Sequence, residues 1–246
     1  TETSKIGFVG DKQQVYHRLV AALVNAGQTA EAFEYVERSK ARALVDLLAS
    51  KKDFASSIAD HEQVAALVKE LDALDAEALV QDPTATVEQA RTRSSRDLEV
   101  KAKLRTVAPE LASLVTVGQV TTGDIQSLLQ RDETLVEFYY QGDDLYAFVL
   151  SKDAVKAVKL NGANLLADIG QFRTSLEDRR TKRYAEPSQK LYDRLIKPIE
   201  PLITTRQLLI VSHGVLHYLP FSALRSGTEY LADRYSIRHL PSASVM

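Results

Sequence analysis

The chain has 246 residues, of which 45% are hydrophobic and 26% charged, with a net charge of −2 and no cysteine. That length supports one large or two ordinary domains, each burying its own core, while the near-neutral charge provides no field to recruit nucleic acid or an anionic membrane. No apolar run approaches the ~20 residues of a membrane helix, and the absence of cysteine excludes disulfides, thiolate metal sites and a cysteine nucleophile within this polypeptide.

The first half reads as helices. From Val15 to Ala49, apolar residues recur at helical spacing: Leu19 and Leu23, then Ala32, Tyr35, Val36 and Leu44. Gly27 and Gln28 interrupt the run, and Thr29 followed by Glu31 suits a helix start. Small residues at Ala22 and Ala32 are expected to let two antiparallel helices approach closely.

This hairpin resembles a tetratricopeptide repeat, with Tyr16, Leu19, Val20 and Leu23 on its first helix and Ala32 and Val36 on its second. Val20 replaces the usual glycine, and Leu44 stands where a terminating proline is common. The second helix can therefore run on through 39–48. One unit is visible, expected to be the last of an array. Tyr16, Arg38 and Arg42 are its candidate binding residues.

A second amphipathic pattern runs from Asp60 to Val80 through Val64, Leu67, Val68, Leu71, Leu74 and Leu79. After Asp82-Pro83-Thr84, another helix is expected from Thr86 to Thr106, with Val87, Leu98 and Leu104 as its sparse apolar points. Together these predict a two-helix arm. Its acidic stretch, 72–88, and its basic stretch, 91–105, are expected to pair rather than to bind a ligand.

The pattern changes after Gly118. Asp124 opens a short helix to about Gln130. The runs 134–140 and 145–150 are aromatic and β-branched and flank a Gly142-Asp143 turn, which predicts a β-hairpin. Asp143 and Asp144 are turn formers in this reading. A third strand over 154–160 makes an antiparallel meander. Helices are expected over 164–180 and 187–202, with Pro198 and Pro201 kinking or stopping the second. Leu208–Val211 is apolar throughout, as in a central strand covered on both faces and reached by a crossover.

His213 and His217 follow that strand, where open α/β sheets collect functional groups. Four-residue spacing suits zinc on a helix, but Gly214 and Pro220 predict a loop and no third ligand is evident. Ser212 and His213 are adjacent on an extended segment, so their side chains diverge and make a poor nucleophilic pair. The plain reading is a loop that tucks Leu216, Leu219, Pro220 and Phe221 under the sheet. The basic cluster Arg173, Arg179, Arg180, Lys182 and Arg183 is diluted by Glu177 and Asp178, and reads as a solvated helix end.

The strand and loop 208–224, with Gly214, Leu216, Leu219, Pro220, Phe221, Ala223 and Leu224, followed by Tyr230-Leu231 and Leu240-Pro241-Ser242, resemble the CHAT family. Glu37-Arg38-Ser39-Lys40 through Leu44 resembles the final repeat that precedes such domains. Ser212-His213 departs from the family's common Pro-Asp. The resemblance implies a caspase-like fold and a cysteine peptidase with a His-Cys dyad. The dyad is expected downstream of Met246, in a longer polypeptide of which this chain is a piece.

The expected fold class is therefore α+β: a helical hairpin over 1–55, a helical arm over 56–117 and, over 118–246, the first part of a caspase-like mixed sheet with flanking helices. The expected role is a non-catalytic scaffold or regulatory fragment, inactive alone, whose repeat takes a protein or peptide partner. A purely structural interaction module is the alternative. His213 and His217 are further candidate binding residues; no catalytic residue, metal or cofactor is assigned. No nucleic-acid or membrane partner is expected, the location is expected to be cytoplasmic, and an open sheet edge favours a homo-oligomer.

Overall fold

A computed structural model describes residues 2–49, 58–79, 87–108, 120–177 and 183–246. Its contacts divide the chain into two compact units, 1–37 with 120–246, and 38–119. Helix α1 (Glu2–Asn25) ends and α2 (Thr29–Ala49) begins around a three-residue turn. Gly27 takes φ +75°, while its N–H bonds to the Val24 carbonyl at 3.1 Å and the Gln28 N–H to the Leu23 carbonyl at 2.9 Å. These are the two bonds of a Schellman stop, which satisfies the helix's orphan carbonyls and needs a left-handed residue at that position.

Within the first unit, α5 (Thr122–Leu128) opens on a capping box in which Thr121 and Asp124 bond reciprocally. Strands β1 (Glu133–Gln141), β2 (Asp144–Leu150) and β3 (Val155–Asn161) form the expected antiparallel meander. Helices α6 (Leu165–Glu177) and α7 (Ala185–Leu195) then carry the chain across to β4 (Gln207–Val211), which pairs parallel to β1. A two-residue ribbon, β5 (Arg225–Ser226) with β6 (Glu229–Tyr230), and the short α8 (Leu231–Arg234) precede β7 (Ser236–Leu240). This last strand pairs parallel to β4, so the sheet order is β3-β2-β1-β4-β7. The fold is α+β with a helical N-terminal part and a mixed sheet.

Alternation along β1 sends its residues to two faces. Val136 and Phe138 join Leu165, Ile169, Phe172, Leu191 and Leu195 of α6 and α7 in one core. Leu135 and Tyr139 join Val20, Leu23, Ala32, Phe33 and Val36 of α1 and α2 in the other. The sheet is thus covered on both sides, which explains why β2 and β4 are apolar almost without a break. The loop after β4 folds as two 3-10 turns, over 214–218 and 221–223, that bury Leu216, Leu219 and Phe221 as expected.

The second unit pairs α3 (Ile58–Leu79) with α4 (Val87–Val107). Val64, Leu67, Val68, Leu71 and Leu74 pack with Val100 and Leu104. Arg96 bonds Glu70 across the pair at 2.8 Å, and Lys101–Asp97 and Lys103–Glu99 are pairs within α4.

Several expectations need correction. Leu98, expected as an apolar point of the arm, is 64% exposed, and Val100 packs with Leu104 in the core instead. Ala22 is exposed, and only Ala32 lies in the core. The helix expected over 187–202 runs over 185–195 and gives way to a 3-10 turn over 200–202; the stop expected from Pro198 and Pro201 comes earlier, because Pro198 disfavours helical backbone in the residue before it. Arg179, Arg180 and Lys182 lie outside the described residues. Arg173 is held 5.6 Å from the centre of the Tyr218 ring.

Candidate functional site

The parallel strands β1, β4 and β7 end on the same side of the sheet, where functional groups gather in such folds. Residues from the helices and from the segments that leave the strands converge there. β4 stops at Val211 opposite Glu137, but β1 runs on to Gln141. The Tyr140 N–H therefore has no strand partner on that side, and donates instead to His213 Nδ1 at 3.0 Å. Since Nδ1 accepts, the neutral imidazole carries its proton on Nε2. The ring lies nearly parallel to Tyr139, with centroids 5.1 Å apart and planes 23° apart.

His17 of α1 approaches Tyr139 from the helical side at 6.0 Å and Tyr146 at 6.4 Å. Its Nε2 lies 3.0 Å from Asp144 Oδ2, and Lys159 Nζ lies 2.9 Å from Asp144 Oδ1. The bonds from Lys159 first, then His17, hold the Asp144 carboxyl below its ordinary range. Glu137, fully buried, projects from the same face of β1 as Tyr139.

A second cluster forms where the chain leaves β7. Glu37 of α2 is 2% exposed. Its Oε2 accepts from the Ser242 hydroxyl at 2.7 Å, from the Ser244 amide at 2.8 Å and from the Ser244 hydroxyl. Ser242 also caps the 3-10 turn over 243–245 by accepting from the Ser244 amide at 3.2 Å.

The candidate residues fall as follows. Tyr16 is buried at 5% exposure. Arg38 is half-buried, and the Arg42 side chain lies outside the described residues. His213 belongs to the strand-end site, whereas His217 is exposed in the 3-10 turn that follows. His213 is extended, with φ −139° and ψ 141°, which keeps its ring turned away from the Ser212 hydroxyl. Among the described residues, no three His, Cys, Asp or Glu side chains are grouped to hold a metal, and no helix is long and apolar enough to cross a membrane.

Sequence reasoning missed His17, Tyr139, Glu137 and the partners of Glu37. Glu37 had one signal, its place at the head of the 37–44 stretch, and Ser242 had the Leu240-Pro241-Ser242 landmark. Nothing local shows that the two meet, being 205 residues apart.

Residues 185–246 match the CHAT domain family. The matched segment covers about a quarter of the chain. It comprises α7, β4, the 3-10 turns over 200–202, 214–218, 221–223 and 243–245, the β5–β6 ribbon, α8 and β7. The chain is also similar to human tetratricopeptide repeat protein 28, at 38% identity over 83 residues. That alignment covers 29% of this chain and 3% of the human protein. The chain therefore spans a small fraction of that relative's length.

Proposed function

We propose that this chain is a scaffold and regulatory portion of a CHAT-type, caspase-like cysteine peptidase, with its helical hairpin as the element that receives a protein or peptide partner. One observation carries the reading: α1 and the start of α2 form one core with the sheet face that ends at the Ser212-His213 and Ser242 loops. The helical element is thus built into the sheet. Arg38 and Arg42 would offer polar contacts to the partner, Tyr16 would belong to the same hairpin, and His213 and the exposed His217 would shape the strand-end loop.

The chain supplies no cysteine, so a thiolate nucleophile would come from other polypeptide. His213 is a poor general base in this geometry, because Nδ1 is occupied by the Tyr140 amide and Nε2 already carries a proton. The purified chain is expected to cleave no fluorogenic peptide. Turnover abolished by His213→Ala would overturn the reading. Expressed within its full gene product, the chain is expected to accompany an activity that depends on a cysteine elsewhere. A full product with no such cysteine would favour the second reading, a structural interaction module, which the ring-stacked and amide-bonded state of His213 also accommodates.

A further inference from the structure

Glu37 uses one oxygen to hold both hydroxyls and one amide of a segment about two hundred residues away. Each hydroxyl has one proton, so the 2.7 Å approach of Ser242 Oγ to Ser244 Oγ results from both aiming at the same carboxylate oxygen. A buried carboxylate is costly unless donors surround it, and the start of a 3-10 turn has amides that need acceptors. Each side solves the other's problem. Strand β7 has separate support, its ladder to β4 running from Gln207–Ser236 to Val211–Leu240. What Glu37 adds is control over the path taken after Leu240.

We propose that Glu37 is a positioning residue through which the seating of α2 sets the path of the chain leaving β7, so that a protein partner on the hairpin is registered at the strand ends. The identity of that input rests on the hairpin being the partner-receiving element; the coupling itself does not need the partner. Phe33 lies one helical turn before Glu37 and packs its ring 5.8 Å from Phe148 of β2. It fixes how α2 sits on the sheet, within the core that also buries Ala243.

The test is amide exchange, followed by NMR on the whole chain at Ser244, with Ile210 in β4 as the fold reference. Glu37→Ala is expected to speed exchange at Ser244 about tenfold and leave Ile210 unchanged. Glu37→Gln, whose amide oxygen accepts the same donors, is expected to stay within about threefold of wild type. Phe33→Leu is expected to raise Ser244 exchange when Glu37 is present and to add less in the Glu37→Ala background, where only the core shared with Ala243 remains. Wild-type exchange at Ser244 in Glu37→Ala, a Gln variant as fast as the Ala variant, or equal Phe33→Leu increments in both backgrounds would each overturn the coupling. Where Glu37→Ala unfolds, seen as lost protection at Ile210, the Glu37→Gln and Phe33→Leu variants decide. A hairpin that binds no partner would leave these rates intact, so failure of the functional reading is distinguishable.

Discussion

Gly214 is the residue on which the strand-end geometry turns. It has φ +57°, and a Cβ there would lie 3.0 Å from Tyr140 Cδ1. Tyr140 is the residue whose amide holds His213, so strain at Gly214 is transmitted to that bond. Gly214→Ala is expected to cost about 1–3 kcal/mol, from the left-handed backbone and the close ring. Gly170, in the middle of α6 with open space around its hypothetical Cβ, makes the contrast. Gly170→Ala is expected to stabilise by about 0.5–1 kcal/mol, and urea midpoints of the two variants check both signs. Asp144 governs a different response. Its folded-state pKa is depressed by Lys159 and then His17. The stability it contributes is therefore fully present above its unfolded value, near 3.8, and is lost as pH falls through the lower folded value. Asp144→Asn is expected to narrow the difference in melting temperature between pH 7 and pH 2.5. An unchanged difference would mean that the His17–Asp144–Lys159 contacts contribute nothing to folding.

At the scale of elements, legibility followed the range of the forces involved. The meander of β1 to β3, the crossover to β4 and the turn at Gly27 were readable because alternation, aromatic runs and glycine act over a few residues. Helix α7 was located and its proline stop anticipated, but it was overextended, since the helix yields at Leu195, before Pro198 rather than after it. The β5–β6 ribbon and α8 gave no periodic signal, being two and four residues long. They are held by partners from elsewhere: the Gly227 amide donates to Gln189 of α7, and Arg234 joins Tyr192 of α7 to Glu200. The site was half legible. His213 stood out by its place after an apolar strand. Its neutral form and its stacking on Tyr139 depend on β1 outrunning β4, a matter of register that no single stretch of sequence contains.

For the whole molecule, the division into two compact units makes a claim about cooperativity. Among the described residues, the unit at 38–119 packs around Val64, Leu67, Val68, Leu71, Leu74, Val100 and Leu104, a core in which one deletion matters. Leu104 is fully buried, so Leu104→Ala removes packing from its centre and is expected to cost that unit about 2–5 kcal/mol. Leu98→Ala, at a site 64% exposed, is expected to change stability by less than about 0.5 kcal/mol. The contrast also measures independence. Exchange in 58–79 and 87–108 is expected to accelerate in Leu104→Ala, while Ile210 and Val136 in the sheet keep their wild-type rates. The reason is that the sheet core draws on α1, on α2 up to Val36, and on α5 to α7, none of which belongs to the Leu104 cluster. Equal acceleration at Ile210 would show that the chain unfolds as one body and that the two units share their stability.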